Sequence, residues 1–259
     1  MRVLAVGSGS GEVDMDFIQT IVDCGKAVRG EDYSVVYTVC EPNSSNVEFF
    51  KGEVEKRAEF KNVTFEWHVG FFEAFVEKFT SSATEDTKID FAHFVRVFYH
   101  IDSYTALNTV YEKLLAKDGF VAVVGENENA FWPLMMIFLN DHNLKNECFL
   151  CSGPVSDAYF LPGWSKQAKD NGWKHEVFTR SYNFDVTDCF DEQSAVGNYL
   201  IDFAFHGKQS RKTIEKSTMD DFFAFLRKHA KDEEVEMDGV KQVRTNFPAQ
   251  LGAIIITKV

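Results

Sequence analysis

The chain has no apolar run approaching the roughly 18 residues that a membrane-spanning helix needs. No leader with a charged start and a long apolar middle is visible either, because Met1-Arg2 runs straight into Val3-Leu4-Ala5-Val6. Cysteines number five, an odd count that argues against a disulfide framework. Free thiols in a reducing, cytoplasmic compartment are the expectation. Positive charge is scarce: 27 Lys and Arg face 40 Asp and Glu, for a formal net charge of −13. A field of that sign repels phosphate backbones and anionic lipid, so neither nucleic acid nor membrane is an expected partner. It does not repel a small cationic ligand. Metal-ligand spacing is also missing. His142, His175, His206 and His229 form no H-E-x-x-H pattern, and Cys148-x-x-Cys151 has no second pair, so no metal is expected.

What is present is an ordinary globular composition, 45% hydrophobic and 26% charged over 259 residues, enough to bury a core without staples. Phenylalanine is overused at 26 copies, which predicts aromatic-walled cores and pockets. Short apolar runs at Val3 to Val6, Tyr33 to Val39, Val63 to Trp67, Ile89 to Val97 and Phe120 to Val124 read as buried strands. Between them, helical spacing predicts helices over Asp14 to Val28, from an Asn43 or Ser44 cap to about Arg57, over Phe71 to Phe79, and over Ser103 to Lys117 with Gly119 as the residue after its C-cap. This alternation predicts an α/β fold, a doubly wound sheet of mostly parallel strands with helices on both faces. The rhythm breaks over residues 126–173. Two late strands are expected at Glu176 to Phe184 and Leu251 to Lys258. The charged stretch Lys228 to Asp238 reads as a helix end and loop.

Three segments carry chemistry. Gly7-Ser8-Gly9-Ser10-Gly11-Glu12 lies between strand one and helix one, where glycines let the backbone turn and approach a ligand. The spacing is G-x-G-x-G, one residue shorter than the dinucleotide pattern, which suits a cofactor without a pyrophosphate better than NAD. A nicotinamide-dependent oxidoreductase remains the alternative from that side. Glu41 stands at the end of strand two, where an acid accepts hydrogen bonds from a ribose diol. The end of strand four carries Arg96, Tyr99 and His100 toward the ligand crevice, whereas His93, inside an apolar strand, reads as a core histidine.

Together these segments resemble a class I S-adenosylmethionine-dependent methyltransferase. The run Val3 to Asp14, Glu41-Pro42, Val63-Thr64-Phe65-Glu66-Trp67-His68, Asp90 to Tyr99, Asp185-Val186-Thr187-Asp188-Cys189-Phe190 and Ala253-Ile254-Ile255-Ile256 are similar to the histamine N-methyltransferase family. The resemblance implies a Rossmann-like seven-stranded fold, a single methyltransferase domain over residues 1–259 with a less regular substrate-side insertion at about 126–173, and S-adenosylmethionine as cofactor. It implies cofactor contacts from Gly7, Gly9, Gly11, Glu41, Asn46 and Val95, with Asn46 where the family has a glutamine. Phe72 falls where the family has a serine. On the acceptor side it implies Arg96 in place of a family glutamine, Tyr99 and His100 in place of two tyrosines, and Gln250 near a family asparagine. The electron-rich faces of Tyr99 and of the nearby Phe131 or Trp132 can stabilise the sulfonium or a cationic amine. The expected acceptor is a small amine or imidazole compound, and the expected state is a monomer. The family has a helical segment ahead of strand one where this sequence has two residues. That difference keeps open a catalytically silent protein of the same fold that binds the cofactor or a protein partner.

Overall fold

The computed structural model describes residues 1–127, 130–144, 160–205, 207–237 and 239–259. The Cys148-x-x-Cys151 pair and His206 lie outside them. Strand β1 (Arg2–Val6) is short because every residue from Val3 to Val6 is buried and glycine follows at once. It feeds α1 (Glu12–Arg29), which buries Ile18 and Val22 one turn apart and ends at Gly30. Next come β2 (Val35–Glu41), α2 (Ser44–Glu55), β3 (Val63–Val69), α3 (Phe72–Ser82) and β4 (Ile89–Val95). Asn43 caps α2: its side chain accepts from the amides of Ser45 at 3.0 Å and Asn46 at 3.4 Å.

The fourth helix is shorter than its amphipathic pattern predicts. α4 (Ser103–Thr109), capped by Asp102, widens into a π turn over Val110–Leu114, and β5 (Leu115–Glu126) begins at the next residue. The Lys258 ammonium donates to the carbonyls of Glu112 and Leu115, satisfying groups that the helix end leaves open. Gly119 is thus no helix cap. It sits in β5 where the pairing with β4 slips between Ile89 and Phe91, and a Cβ there would lie 2.9 Å from the Ile89 carbonyl. Strand β4 also stops two residues earlier than expected, because Arg96 turns the chain with φ +50°.

The remaining elements are α5 (Phe131–Asp141), α6 (Leu161–Asp170), β6 (Lys174–Asp185), α7 (Ala195–Phe205), α8 (Ser210–Thr213), α9 (Lys216–His229), β7 (Lys231–Met237) and β8 (Val240–Thr257). The strand order is β3-β2-β1-β4-β5-β8-β6, and β7 pairs with β8 as an antiparallel hairpin. The pairings β2/β3, β1/β2, β1/β4 and β4/β5 are all parallel. The sheet thus has the seven expected strands plus β7, which arises from the charged stretch read as a loop.

The chain divides into two compact units. The first holds Met1–Val124, Ser165–Val177 and Ala253–Val259; the second holds Gly125–Trp164 and Phe178–Gly252. The first is packed on one sheet face around Val3, Ala5, Ile18, Val22, Tyr37 and Phe50. The second is packed around Phe131, Met135, Phe138, Ile201, Phe222 and Phe247. Rings in it meet edge to face at Phe131–Phe247 (5.4 Å) and Phe205–Phe222 (5.0 Å).

Candidate active site

At the end of β1 the chain passes through three glycines with φ +70°, +54° and +84°. The Gly7 amide donates to the Cys40 carbonyl at 2.9 Å, tying the loop to the end of β2. A Cβ on Gly7 would come within 2.4 Å of Val97, and one on Gly11 within 2.2 Å of the Phe50 ring. These two glycines let the loop pack tightly. Gly9 differs: a Cβ there would meet nothing within 4 Å, so the loop presents open backbone at its middle. Gly11 then starts α1 without any side-chain cap, which leaves helix amides and their positive partial charge at the loop.

Glu41 ends β2 and is only 6% exposed. Its Oε2 accepts the Gly9 amide at 3.0 Å and its Oε1 accepts the Asn43 amide at 2.9 Å. The carboxylate is thereby fixed between the glycine loop and the start of α2. Two ionised oxygens offer about four acceptor positions, so capacity remains for hydroxyl donors. Asn46, half-buried, stands in the first turn of α2. Val95, half-buried, is the last residue of β4, and the Val6–Phe94 register brings it level with Gly7. The structure therefore brings Gly7, Gly9, Gly11, Glu41, Asn46 and Val95 to the C-terminal ends of β1, β2 and β4. Phe72 is buried edge-on against Phe94 at 5.7 Å.

Arg96, Tyr99 and His100, the residues of the first unit expected on the acceptor side, share one turn. Arg96 is exposed and its amide donates to the Val124 carbonyl at 2.8 Å. The His100 amide donates back to the Val97 carbonyl at 2.8 Å, and the rings of Tyr99 and His100 meet edge to face at 4.6 Å. Gln250 belongs to the second unit. Its side-chain oxygen accepts from the Asn127 amide side chain at 2.5 Å, and its carbonyl accepts the Asn127 backbone amide at 2.9 Å. Phe131 is spent in the second core, between Phe184 and Phe247. Trp132 packs on Phe203 at 4.9 Å, and its amide donates to Glu126, which also accepts the Tyr182 hydroxyl at 3.0 Å. A separate cavity of about 360 Å³ between β3 and α3, lined by Arg2, Thr38, Glu66, His68 and Lys78 among others, contains none of these site residues.

One group at the loop has no counterpart in the sequence reading. Asp14, in the first turn of α1, is 3% exposed and accepts the Tyr37 hydroxyl at 2.8 Å and the Ser8 hydroxyl at 3.1 Å. Burial pushes its carboxyl up to about 6, against the opposing pull of those two hydrogen bonds. The Tyr37 oxygen also lies 2.8 Å from His93 Nε2. His93 is the core histidine expected, stacked on Phe17 at 4.8 Å and pushed down to about 3 by burial. The signal that could have found Asp14 was its spacing: it shares the i, i+4, i+8 stripe with buried Ile18 and Val22.

No known protein-family model matches the chain. It is 26% identical over 230 residues to histamine N-methyltransferase B of Xenopus laevis, covering 87% of this chain and 72% of that one. It is 22% identical over 207 residues to carnosine N-methyltransferase 2 of Gallus gallus, covering 78% of this chain but only 59% of that one. Among solved structures, a candidate methyltransferase of Bacillus halodurans superposes with a TM-score of 0.54 at 12% identity, over 99% of this chain and 92% of that one. The chain thus has a Rossmann-like fold of the kind seen in methyltransferases, and in sequence it resembles the histamine N-methyltransferases.

Proposed function

We propose that the chain is an S-adenosylmethionine-dependent N-methyltransferase acting on a small amine or imidazole compound. The observation that carries this reading is the cradle formed by Gly9 and Glu41: open backbone over a buried, oriented carboxylate at adjacent strand ends. Glu41, with Asn46, would hold the ribose hydroxyls, and charge-assisted bonds of that kind contribute about 1.5–3 kcal/mol each. Gly7, Gly9 and Gly11 would let the backbone meet the methionine portion, and Val95 would pack beside it. When bound, S-adenosylmethionine supplies an electrophilic methyl group on a sulfonium centre. The acceptor-side residues of the first unit, Arg96, Tyr99 and His100, would orient a nitrogen lone pair about 3 Å from that methyl, so positioning does most of the catalysis.

Arg96 narrows the acceptor class. A guanidinium at the turn after β4 can hold a carboxylate through two parallel hydrogen bonds, which a neutral side chain cannot reproduce. An imidazole that also bears a carboxylate, such as histidine or carnosine, fits this better than histamine. That one relative is a carnosine N-methyltransferase supports the same direction. The test is methyl transfer from labelled S-adenosylmethionine to histamine, histidine, carnosine and simple amines, in the parent and in Arg96→Gln. The parent should prefer the carboxylated imidazoles, and the variant should lose that preference. Better turnover of histamine than of carnosine by the parent would sink the assignment of Arg96. Cofactor binding without transfer to any compound would select a silent binder of the same fold.

A further inference from the structure

Besides the Gly7 amide bond to the Cys40 carbonyl, two carboxylates hold the glycine loop. Glu41 takes the Gly9 amide. The second is Asp14, which accepts the Ser8 hydroxyl, one residue away. Asp14 is in turn the end of a buried polar chain whose proton order follows from its geometry. The Tyr37 hydroxyl has one hydrogen and lies 2.8 Å from both Asp14 Oδ1 and His93 Nε2. A carboxylate cannot donate, so the tyrosine proton goes to Asp14 and His93 donates to the tyrosine oxygen through Nε2. That leaves His93 Nδ1 as the bare acceptor nitrogen, and it has no hydrogen-bond partner among the described residues. The chain therefore runs in one direction, His93 to Tyr37 to Asp14, and meets the Ser8 hydroxyl at the same carboxylate oxygen.

Leucine or methionine at position 14 would serve the packing of α1, whose neighbours on that stripe are Ile18 and Val22. A carboxylate buried there is costly, and it holds a residue of the loop that, on the reading above, receives the cofactor. We propose that Asp14 is a positioning residue for cofactor binding: through Ser8 it locks the glycine loop in the shape that presents Gly9, with Tyr37 and His93 fixing the carboxylate. The titratable groups that face Asp14 are Tyr37 and Glu41 from β2 and His93 from β4; Glu12 and Asp16 on its own helix are exposed. Neutralising Asp14 by a proton removes the charge from its bond with Ser8, so the lock weakens in acid.

The experiment measures S-adenosylhomocysteine affinity by calorimetry between pH 5 and 8 in the parent, Asp14→Asn, Ser8→Ala and the double variant. It also follows amide hydrogen exchange of the Gly7 to Gly11 loop in the same four proteins without ligand. At pH 7.5 Ser8→Ala, which removes the bond to a charged group, should weaken binding about tenfold, and Asp14→Asn, which keeps an uncharged acceptor, should weaken it several-fold. The double variant should be little worse than Ser8→Ala alone, and both singles should speed loop exchange. Affinity of the parent should fall as pH drops through about 6, while Asp14→Asn shows no such step. Parent-like affinity and parent-like loop exchange in Asp14→Asn would overturn the proposal. So would equal pH profiles in the two proteins. If the parent itself bound no S-adenosylhomocysteine, the cofactor reading would fail, while the exchange rates would still decide whether Asp14 holds the loop.

Discussion

Asp14 and Glu41 are both buried carboxylates attached to one glycine loop, but their surroundings differ. Glu41 accepts two backbone amides, whereas Asp14 accepts two hydroxyls deep against the sheet. Burial wins at Asp14 and lifts it from 3.8 to about 6. Between those values the folded protein keeps a proton that the unfolded chain has lost. Stability therefore falls as pH rises from about 4 to about 6, and above that the ionised group costs about 3 kcal/mol. Asp14→Asn should accordingly stabilise the fold at pH 7.5, by about 1–2 kcal/mol once its weaker hydrogen bonds are counted, and the gain should vanish by pH 4. Urea unfolding at both pH values checks this; a variant less stable than the parent at pH 7.5 would contradict it. The glycines and Glu41 were legible in the sequence because their spacing from strand ends is itself the signal. Asp14 is less legible: a first-turn acid is commonplace on exposed helix starts, and only its place on the stripe of Ile18 and Val22 hints that this one is inside.

At the scale of elements, the parallel strands β1 to β5 and their helices follow from period and punctuation, and the deviations have identifiable causes. The π turn after α4 places Leu114 and Leu115 in succession, both buried, so the helical pattern runs into the strand without a polar break. The β7–β8 hairpin carries no alternating apolar pattern on its first strand. Its register sets Glu236 opposite Lys241 and Glu233 opposite Arg244, so complementary charge across the pair takes the place of an apolar face. A run of acids with two lysines reads as loop in one dimension and as a strand only when its partner is known. The α2 cap was visible as an Asn-Ser-Ser start, and its worth can be measured. Asn43→Ala removes the acceptor for the Ser45 and Asn46 amides and should cost about 1 kcal/mol of stability. Thermal unfolding of the variant checks this, and an unchanged midpoint would show that the cap contributes nothing.

For the molecule as a whole, the net charge of −13 sets which ligands can approach. No helix of the described residues is long and apolar enough to cross a membrane. The charge should prevent measurable binding of RNA or DNA at about 150 mM salt, and a micromolar mobility shift with any oligonucleotide would return nucleic acid to the list of acceptors. The same field favours a cofactor that carries a sulfonium and an ammonium group. The fold supplies the rest by bringing the ends of β1, β2 and β4 together, so that residues 7, 41 and 95, far apart in sequence, border one loop. The most direct test of that account is a calorimetric titration of S-adenosylhomocysteine into the parent and into Glu41→Ala. One-to-one binding by the parent, weakened by roughly 2–4 kcal/mol in the variant as two ribose bonds are lost, is the predicted result. Equal affinity in the two proteins, or none in the parent, would contradict it.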